Sequence, residues 1–341
     1  MTESIMKEQT EQPLVSVITP CLNGEKYLDR YFTCILGQTW KNIELIFVDD
    51  GSTDRTEETA LSYRDALEEK GYSFSFIHQD HAGQAAALNK GLAVFKGDYL
   101  FWPDADDHFS ENYIQRLVEY LVEHRKTGVV QGSIVYIYEN EPDRKPEIKH
   151  RKDNTTRNMF EDYVFQRDGL FGGFMIRAAD FKEALPAGQI YESTTGQNWQ
   201  MILPVCYRYD FSEVEGAYYY YCIHTDSHSN KAKDYPSKLQ KTWLQKETVK
   251  QSILPIDMPE EEKKALFKRI DIDYTERRLS LAFEYSMKED LLKEFSLLKQ
   301  QTLPAKQYRR IYRRTKYPMY DLIYRSARWL KHLIIKKQTD I

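Results

Sequence analysis

The sequence has few cysteines, and their spacing does not favour disulfides. The four are Cys21, Cys34, Cys206 and Cys222, and no two of them form a C-x-x-C pair. We therefore expect reduced thiols in a cytoplasmic protein. The sequence also lacks an uninterrupted apolar run of about eighteen residues, so no membrane-spanning helix is expected. Residues 1–12 are polar and mixed in charge, unlike the apolar stretch of a secretory signal.

A strong excess of one charge is absent as well. The 48 basic and 52 acidic side chains give a net charge of −4, which argues against a protein that coats nucleic acid. Apolar residues make up 41% of the 341 residues, which is enough for a large core and excludes a disordered chain. This length predicts one large domain with an additional segment.

Short β-branched runs alternate with helix-like segments through the first 110 residues. The predicted strands are 14–19, 43–48, 73–78 and 98–102, and the predicted helices are 25–36, 54–70 and 84–95. This alternation predicts parallel βαβ units with right-handed crossovers, and therefore an α/β fold. In such sheets, ligands bind beyond the carboxyl ends of the strands. Polar residues follow three of these ends, at 20–23, 49–50 and 104–107.

An acidic segment, Asp104-Ala105-Asp106-Asp107, follows the last of these strands. Carboxylates two residues apart can bind one divalent cation, and Mg²⁺ or Mn²⁺ completes its shell with water and phosphate oxygens. Capping of the next helix would explain one of these carboxylates but not the whole cluster. The residues alone leave both interpretations open.

Asp49 and Asp50 end the second predicted strand. For Asp49 we favour a turn before a helix. Asp50 is able to accept the N3–H group of a uracil ring, although a simple turn explains it as well.

In combination, these segments resemble the family 2 glycosyltransferases with the GT-A fold. The matching segments are 16–23, 38–40, 44–54, 83–91 and 97–107. The resemblance implies a Rossmann-like, mainly parallel sheet flanked by helices. It also implies transfer of a sugar from a UDP-sugar donor to a glycan, with inversion at the anomeric carbon and with a divalent cation, Mn²⁺ or Mg²⁺, on the diphosphate.

The resemblance implies roles for residues at matching positions. The residues implied at the nucleotide-sugar are Pro20, Leu22, Asn23, Glu25, Asp50, Gly83, Gln84, Asn89, Asp104 and Ala105. The implied metal ligands are Asp106 and Asp104, and His224 resembles a late histidine that completes the metal shell in some members. The alternative for His224 is a hydrogen-bonded surface residue.

The acceptor side departs from the family pattern. Many members carry a Glu-Asp pair before a tryptophan, whereas this chain has Gln197-Asn198-Trp199. Amides cannot act as general bases because they do not titrate near neutral pH. We therefore expect these three residues at the acceptor, with Glu192 and Asp107 as candidate bases. The missing pair leaves an alternative function open, namely a non-catalytic nucleotide-sugar-binding partner of another transferase.

The C-terminal segment is strongly basic. Residues 305–341 contain eleven basic residues against Asp321 and Asp340, a net charge of +9 that leaves −13 for residues 1–304. Apolar residues recur there at helical spacing, and Pro318 is expected to separate two helices. Such a segment suits an anionic membrane surface and a lipid-linked acceptor, but its apolar stripe would also suit packing on the rest of the protein. No nucleic-acid-binding motif accompanies it.

The expected organisation has four parts. A polar leader (1–12) precedes the nucleotide-sugar-binding half (13–110) and the acceptor-binding half (111–230) of a GT-A domain, and a helical extension (231–341) follows. We expect a cytoplasmic protein that lies at the inner face of the cell membrane if the basic segment binds lipid.

Overall fold

The structure is a computed structural model that describes residues 12–141, 143–149, 158–167, 172–224 and 234–317. These residues form two compact units. The first unit contains the described residues up to 224 together with 247–257, and the second contains 234–246 and 258–317. The four-part division expected from the sequence stays a prediction.

The described part of the first unit is built on a mixed sheet of nine strands. They are β1 (Val15–Cys21), β2 (Ile43–Asp49), β3 (Ser73–His78), β4 (Tyr99–Phe101), β5 (His108–Phe109), β6 (Thr127–Tyr138), β7 (Glu147–Lys149), β8 (Phe174–Arg177) and β9 (Asp210–Ile223). The order is β3-β2-β1-β4-β8-β6-β9-β5, and β7 pairs with β6. Strands β3, β2, β1 and β4 are parallel, whereas β8 is antiparallel to β4 and to β6. The predicted α/β fold is confirmed.

Helices connect these strands. In the first unit they are α1 (Glu25–Leu36), α2 (Thr56–Ser62), α3 (Arg64–Glu69), α4 (Gln84–Leu92), α5 (Tyr113–Glu123), α6 (Phe160–Val164), α7 (Ala178–Ala184) and α8 (Gln197–Arg208). Helix α1 has the predicted bounds and buries its apolar stripe at Leu28, Phe32 and Ile35. The single helix predicted at 54–70 is instead two short helices, α2 and α3, separated by Tyr63.

A buried glutamate determines where β4 begins. Glu44 of β2 accepts hydrogen bonds from the hydroxyl of Ser16 and from the backbone N–H groups of Lys96 (2.5 Å) and Gly97 (3.0 Å). A buried carboxylate without partners is costly, so these donors stabilise this arrangement of β1, β2 and the segment before β4. The acidic segment after β4 is thereby placed beside the ends of β1 and β2.

The described part of the second unit is helical. Its helices are α10 (Glu260–Glu284), α11 (Lys288–Gln301) and α12 (Lys306–Lys316), with the first part of α9 (Tyr235–Ile253). Leu279, Leu298 and Tyr308 form a small core between α10, α11 and α12. Across the described residues of both units, no helix is long and apolar enough to cross a membrane.

Candidate active site

The ends of β1 and β2 lie side by side. Cys21 pairs in register with Asp49, and the N–H group of Asp50 donates to the carbonyl oxygen of Cys21 at 2.8 Å. Pro20 and Leu22 at the end of β1 are half-buried, so each keeps part of its surface in contact with solvent. They are available to contact a ring at the carboxyl edge of the sheet, where ligands bind in this class of fold.

The carboxylate of Asp50 is buried and holds the loop at 79–83. Its Oδ1 accepts hydrogen bonds from Gln79 Nε2 (2.6 Å) and Ala82 N (2.9 Å), and its Oδ2 from His81 Nδ1 (2.8 Å) and Gly83 N (2.9 Å). Burial alone would raise the pKa of Asp50, but these hydrogen bonds outweigh it and lower the pKa below its usual value. Since each oxygen already accepts two bonds, Asp50 positions this loop, and direct contact with a base would require one donor to leave.

Gly51 permits the close approach of this loop. Its φ is +78°, and a Cβ atom there would lie 2.6 Å from the backbone nitrogen of His81. A side chain at position 51 would therefore displace the loop. The loop leads through Gly83, whose φ is +97°, into helix α4.

Asn23 and Glu25, which were expected at the nucleotide, bridge two loops. Asn23 Oδ1 accepts a hydrogen bond from the N–H group of Thr53 at 2.8 Å, and Glu25 Oε2 accepts one from the N–H group of Arg55 at 2.7 Å. Both side chains therefore join the loop after β1 to the loop after β2. These hydrogen bonds support the edge of the site.

Asp106 and His224 are in contact. His224 directly follows β9 and is buried, and its Nε2 lies 2.9 Å from Oδ2 of Asp106. The hydroxyl of Tyr27 lies 3.2 Å from its Nδ1. Asp104 Oδ1 accepts a hydrogen bond from Gln84 Nε2 at 2.8 Å. The structure thus places Asp106 in contact with His224, and Asp104 in contact with the start of α4.

Negative charge is concentrated in the acidic segment. Burial, and then the charge of Asp106, raise the pKa of Asp104 to about 7. Burial, followed by Asp106 and Asp104, also raises the pKa of Asp107 well above its usual value. The charge of Asp106 makes ionisation of Asp104 and Asp107 less favourable, and a bound cation would reverse that effect.

The donor atoms present are compatible with a cation that also uses substrate oxygens. Among the described residues, no group of three His, Cys, Asp or Glu side chains forms a ready-made metal site. Asp106 and His224, with Asp104 nearby, would supply part of a coordination shell. This fits Mg²⁺ or Mn²⁺, which are commonly held by one or two carboxylates together with phosphate oxygens and water.

Comparison with known proteins identifies the family. Residues 16–185, about half of the chain, match the family model described as glycosyl transferase family 2. The chain belongs to this family. An uncharacterized glycosyltransferase of Rickettsia typhi is 40% identical over 116 residues, which are 34% of this chain and 34% of the relative. Glycosyltransferase GlyG of Streptococcus pneumoniae is 40% identical over 121 residues, 35% of this chain and 38% of the relative. The chain thus spans about a third of the length of these curated relatives.

Solved structures share the fold of this family 2 chain. TarS 1–349 of S. aureus, determined in complex with UDP-GlcNAc, has a TM-score of 0.60 at 17% identity, covering 92% of each chain. The mannosyltransferase PcManGT of Pyrobaculum calidifontis, determined with GDP-Man and Mn²⁺, has a TM-score of 0.54 at 12% identity, covering 92% of this chain and 87% of that one. At these identities the likeness shows the fold alone, and the predicted GT-A fold is confirmed.

Glu192 of this family 2 chain lies on an exposed segment that two amide side chains hold in place. Asn89 of α4 donates to Ile190 O at 2.9 Å and accepts from Ile190 N at 2.8 Å. Gln200 of α8 makes the same two bonds with Tyr191, at 2.7 Å and 2.6 Å. Asn89 was expected at the nucleotide, but both ends of its amide are used here. Glu192 itself is exposed, and a base that removes a proton from an acceptor hydroxyl has to be accessible to it.

The residues in place of the usual Glu-Asp pair begin helix α8. Asn198 Oδ1 accepts a hydrogen bond from Trp102 Nε1 at 2.7 Å, which joins α8 to the end of β4. Gln197 beside it is half-buried. Trp199 was expected at the acceptor, but it is only 6% exposed and packs against Gly196. Its ring therefore offers little surface to a ligand, and its role at the acceptor stays a prediction.

Asp107 is enclosed by the sheet. Its side chain is 2% exposed, and its Oδ1 accepts a hydrogen bond from the N–H group of Cys222 at 2.8 Å. This carboxylate is therefore less accessible to an acceptor hydroxyl than that of Glu192, and its role as a base stays a prediction. Ala105 is also buried, at 8% exposure, which leaves little of its side chain for a nucleotide.

Sequence reasoning missed two residues of α1 that support the acidic segment. Tyr27 contacts His224, and Arg30, one turn later, donates to the backbone oxygen of Asp106 at 2.5 Å and to Glu139 Oε1 at 2.6 Å. Their spacing of three residues places both on one face of the helix. A polar side chain within the otherwise apolar stripe was the signal that could have revealed them.

Proposed function

We propose that the chain is an inverting glycosyltransferase that moves a sugar from a UDP-sugar to a glycan or lipid-linked glycan in bacterial polysaccharide synthesis. The observation that carries this proposal is the contact between Asp106 and His224, beside Asp104, at the carboxyl edge of β1, β2 and β4. The complex of TarS with UDP-GlcNAc supports a nucleotide-sugar as the ligand of this edge.

A divalent cation, Mn²⁺ or Mg²⁺, would be held by Asp106 and His224 with Asp104 at its side. When bound, it supplies positive charge that stabilises the diphosphate leaving group. The raised pKa of Asp104 is consistent with this role, because crowded carboxylates gain from a nearby cation. The complex of PcManGT with GDP-Man and Mn²⁺ supports the same chemistry.

The residues of the chain then have separate tasks. Pro20 and Leu22 contact the base, and the loop held by Asp50 lies along the nucleotide. Glu192 removes the proton from the acceptor hydroxyl, whose oxygen attacks the anomeric carbon while the bond to UDP breaks. A single displacement of this kind inverts the anomeric configuration. Gln197 hydrogen-bonds a hydroxyl of the acceptor sugar. Its amide can form that hydrogen bond, but it cannot remove the proton as a base.

The test is the release of UDP from a panel of UDP-sugars with Mn²⁺ present. We expect turnover of one donor, and loss of turnover in Asp106→Asn. The matched control is Asp65→Asn, which removes an exposed carboxylate on α3 and should leave turnover unchanged. Full metal-dependent turnover by Asp106→Asn would show that the metal site is wrongly assigned.

The alternative function is a nucleotide-sugar-binding partner without turnover. The specific observation in its favour is that amides, Gln197 and Asn198, stand where many family members have two carboxylates. It predicts binding of a UDP-sugar by calorimetry without release of UDP for any combination of donor and acceptor. That outcome would replace the transferase proposal.

A further inference from the structure

The apolar face of helix α12 packs inside the second unit. Tyr308 is 9% exposed in the core shared with α10 and α11, and Ile311 packs against the same core. The ring of Tyr312 stacks on Phe295 with centroids 4.1 Å apart. This part of the basic segment therefore docks by its apolar stripe, which is not available for insertion into a membrane. Residues 318–341, which contain Pro318 and the rest of that segment, lie outside the described residues.

The opposite face of α12 is entirely cationic. The helix contains no acidic residue, and its six basic residues are Lys306, Arg309, Arg310, Arg313, Arg314 and Lys316. At about 100° per residue they fall within an arc of about 160° on the side away from Tyr308. The protein thus presents a row of positive charge on a helix whose position is set by its buried face.

A groove of about 910 Å³ lies between this face and the end of α11. None of the residues that line it is acidic, and its basic residues are Lys299, Arg309, Arg313 and Lys316. Two large apolar side chains at its edge face solvent. Leu303, just before α12, is 81% exposed, and Tyr317, just after it, is 52% exposed. We call this surface the basic groove.

We propose that the basic groove binds the anionic headgroups of a phospholipid bilayer, with Leu303 and Tyr317 entering the interfacial layer. Charge complementarity favours this occupant, because lysine and arginine side chains near an anionic leaflet each contribute to attraction. A tyrosine and an exposed leucine suit the boundary between headgroups and acyl chains. A soluble polyanion would match the charge but would give no partner to these two apolar side chains. The inference does not rest on the proposed transfer reaction.

Binding of the basic groove to lipid is mainly electrostatic, which distinguishes it from insertion of an amphipathic helix into the bilayer. Attraction between exposed charges and headgroups is screened by salt, with a Debye length of about 10 Å at 0.1 M and about 3 Å at 1 M. Binding should therefore require anionic lipid and should decline as salt is added.

The test is flotation of the full chain with vesicles made of equal parts phosphatidylglycerol and phosphatidylcholine. We expect the protein to float with these vesicles at low salt and not with vesicles of phosphatidylcholine alone. The triple variant Arg309→Gln, Arg313→Gln, Lys316→Gln should bind more than about tenfold more weakly. The matched control, Lys268→Gln, Lys288→Gln, Lys293→Gln, removes the same charge from exposed positions on α10 and α11 outside the groove and should lose much less.

A second variant tests the apolar part of the inference. Leu303→Asn keeps the charge of the chain and should lower the affinity for the same vesicles severalfold. Donor binding by calorimetry and the thermal unfolding transition should be unchanged in every variant, which separates loss of lipid binding from loss of fold. Absence of donor binding in the native chain would count against the proposed transfer reaction and not against lipid binding, and the thermal unfolding transition would then serve alone as the control for the fold.

Several results would overturn the proposal. Binding of the triple variant as tightly as the native chain would show that other segments supply the contact. An equal loss of affinity in the control variant would show that only the total charge matters. Equal binding to phosphatidylcholine vesicles would remove the charge requirement. Binding to polyphosphate or single-stranded DNA without binding to vesicles would identify a soluble polyanion as the occupant.

Discussion

The Nε2 atom of His224 lies 2.9 Å from the Oδ2 atom of Asp106, although 118 positions separate the two residues in the chain. Pairing of β5 with β9 explains the contact, because the two strands are antiparallel and His108 is in register with Tyr220, so that the residues before β5 run beside those after Tyr220. The acidic segment after β4 therefore receives a candidate metal ligand from the residue that follows β9.

The hydroxyl of Tyr27 is expected to orient His224. Tyr27→Phe should raise the Mn²⁺ concentration needed for half-maximal UDP release by about tenfold, while turnover at saturating metal stays close to native. Tyr63→Phe is the matched control, because it removes a hydroxyl that donates to Asp29 at the surface. Equal metal dependence in the two variants would contradict the positioning role.

Asp50 is expected to stabilise the fold as well as the loop at 79–83. Asp50→Asn should lower the free energy of unfolding by about 1–3 kcal/mol near neutral pH, because an amide nitrogen would face backbone donors. The folded pKa of Asp50 is lowered, so its stabilisation is present above the usual value of 3.8 and is lost as the pH falls through the folded pKa.

Urea unfolding from pH 7 down to about pH 3 checks this, and the gap between native and Asp50→Asn should narrow at the acid end. Asp80→Asn, an exposed carboxylate in the same loop, is the control. A gap that widens towards low pH would be incompatible with the hydrogen bonds described.

Glu192 is the more accessible of the two candidate bases. Glu192→Gln should reduce kcat by about 10²–10⁴-fold with little change in the affinity for UDP-sugar, because only proton removal is lost. Glu58→Gln on α2 removes another exposed carboxylate and should behave as native. Native kcat in Glu192→Gln would exclude the assignment.

Arg278 and Glu294 form a buried pair in the second unit. The guanidinium Nε donates to Glu294 Oε1 at 3.1 Å, and its carbon lies 3.7 Å from the ring centre of Trp243. Arg278→Met should cost about 3–5 kcal/mol of unfolding free energy, because it leaves the carboxylate of Glu294 buried without this partner.

Adding Glu294→Leu to Arg278→Met should recover part of that loss, as measured by denaturant unfolding of both variants. Arg277→Met removes a half-buried helix pair with Asp273 and should cost no more than about 1 kcal/mol. No recovery in the double variant would mean that packing of the arginine, and not the buried charge, determines the cost.

The local sequence pattern was sufficient to predict the parallel strands, but it was not sufficient to predict the other strands of the sheet. The predicted bounds of β3 match the structure, and those of β1, β2 and β4 differ by one or two residues. Strand β9 begins at Asp210 and continues past an irregularity opposite Gly132. Strand β5 has only two residues, and its hydrogen-bonding partner is β9, so it carries no local signal.

For individual site residues, too, the residue type was readable from the sequence but the contacts of the side chain were not. Asp106 and His224, two of the residues that the resemblance implied for a metal, are in contact, whereas Asn23 and Asn89 use their amides on neighbouring loops. Whether a polar side chain is available depends on which backbone groups fold against it. Those groups come from distant parts of the chain, so residue type and spacing could not predict their presence.

The amino-acid sequence by itself determined the α/β architecture and the edge of the sheet where polar groups meet, because strand and helix periodicity and parallel connection are local properties. Only the tertiary structure decided which of those groups are open to a ligand. Burial against β9 enclosed Asp107, hydrogen bonds committed Asp50 to a loop, and packing of Tyr308 turned the cations of α12 outward. Each depends on contacts between segments that are far apart in sequence.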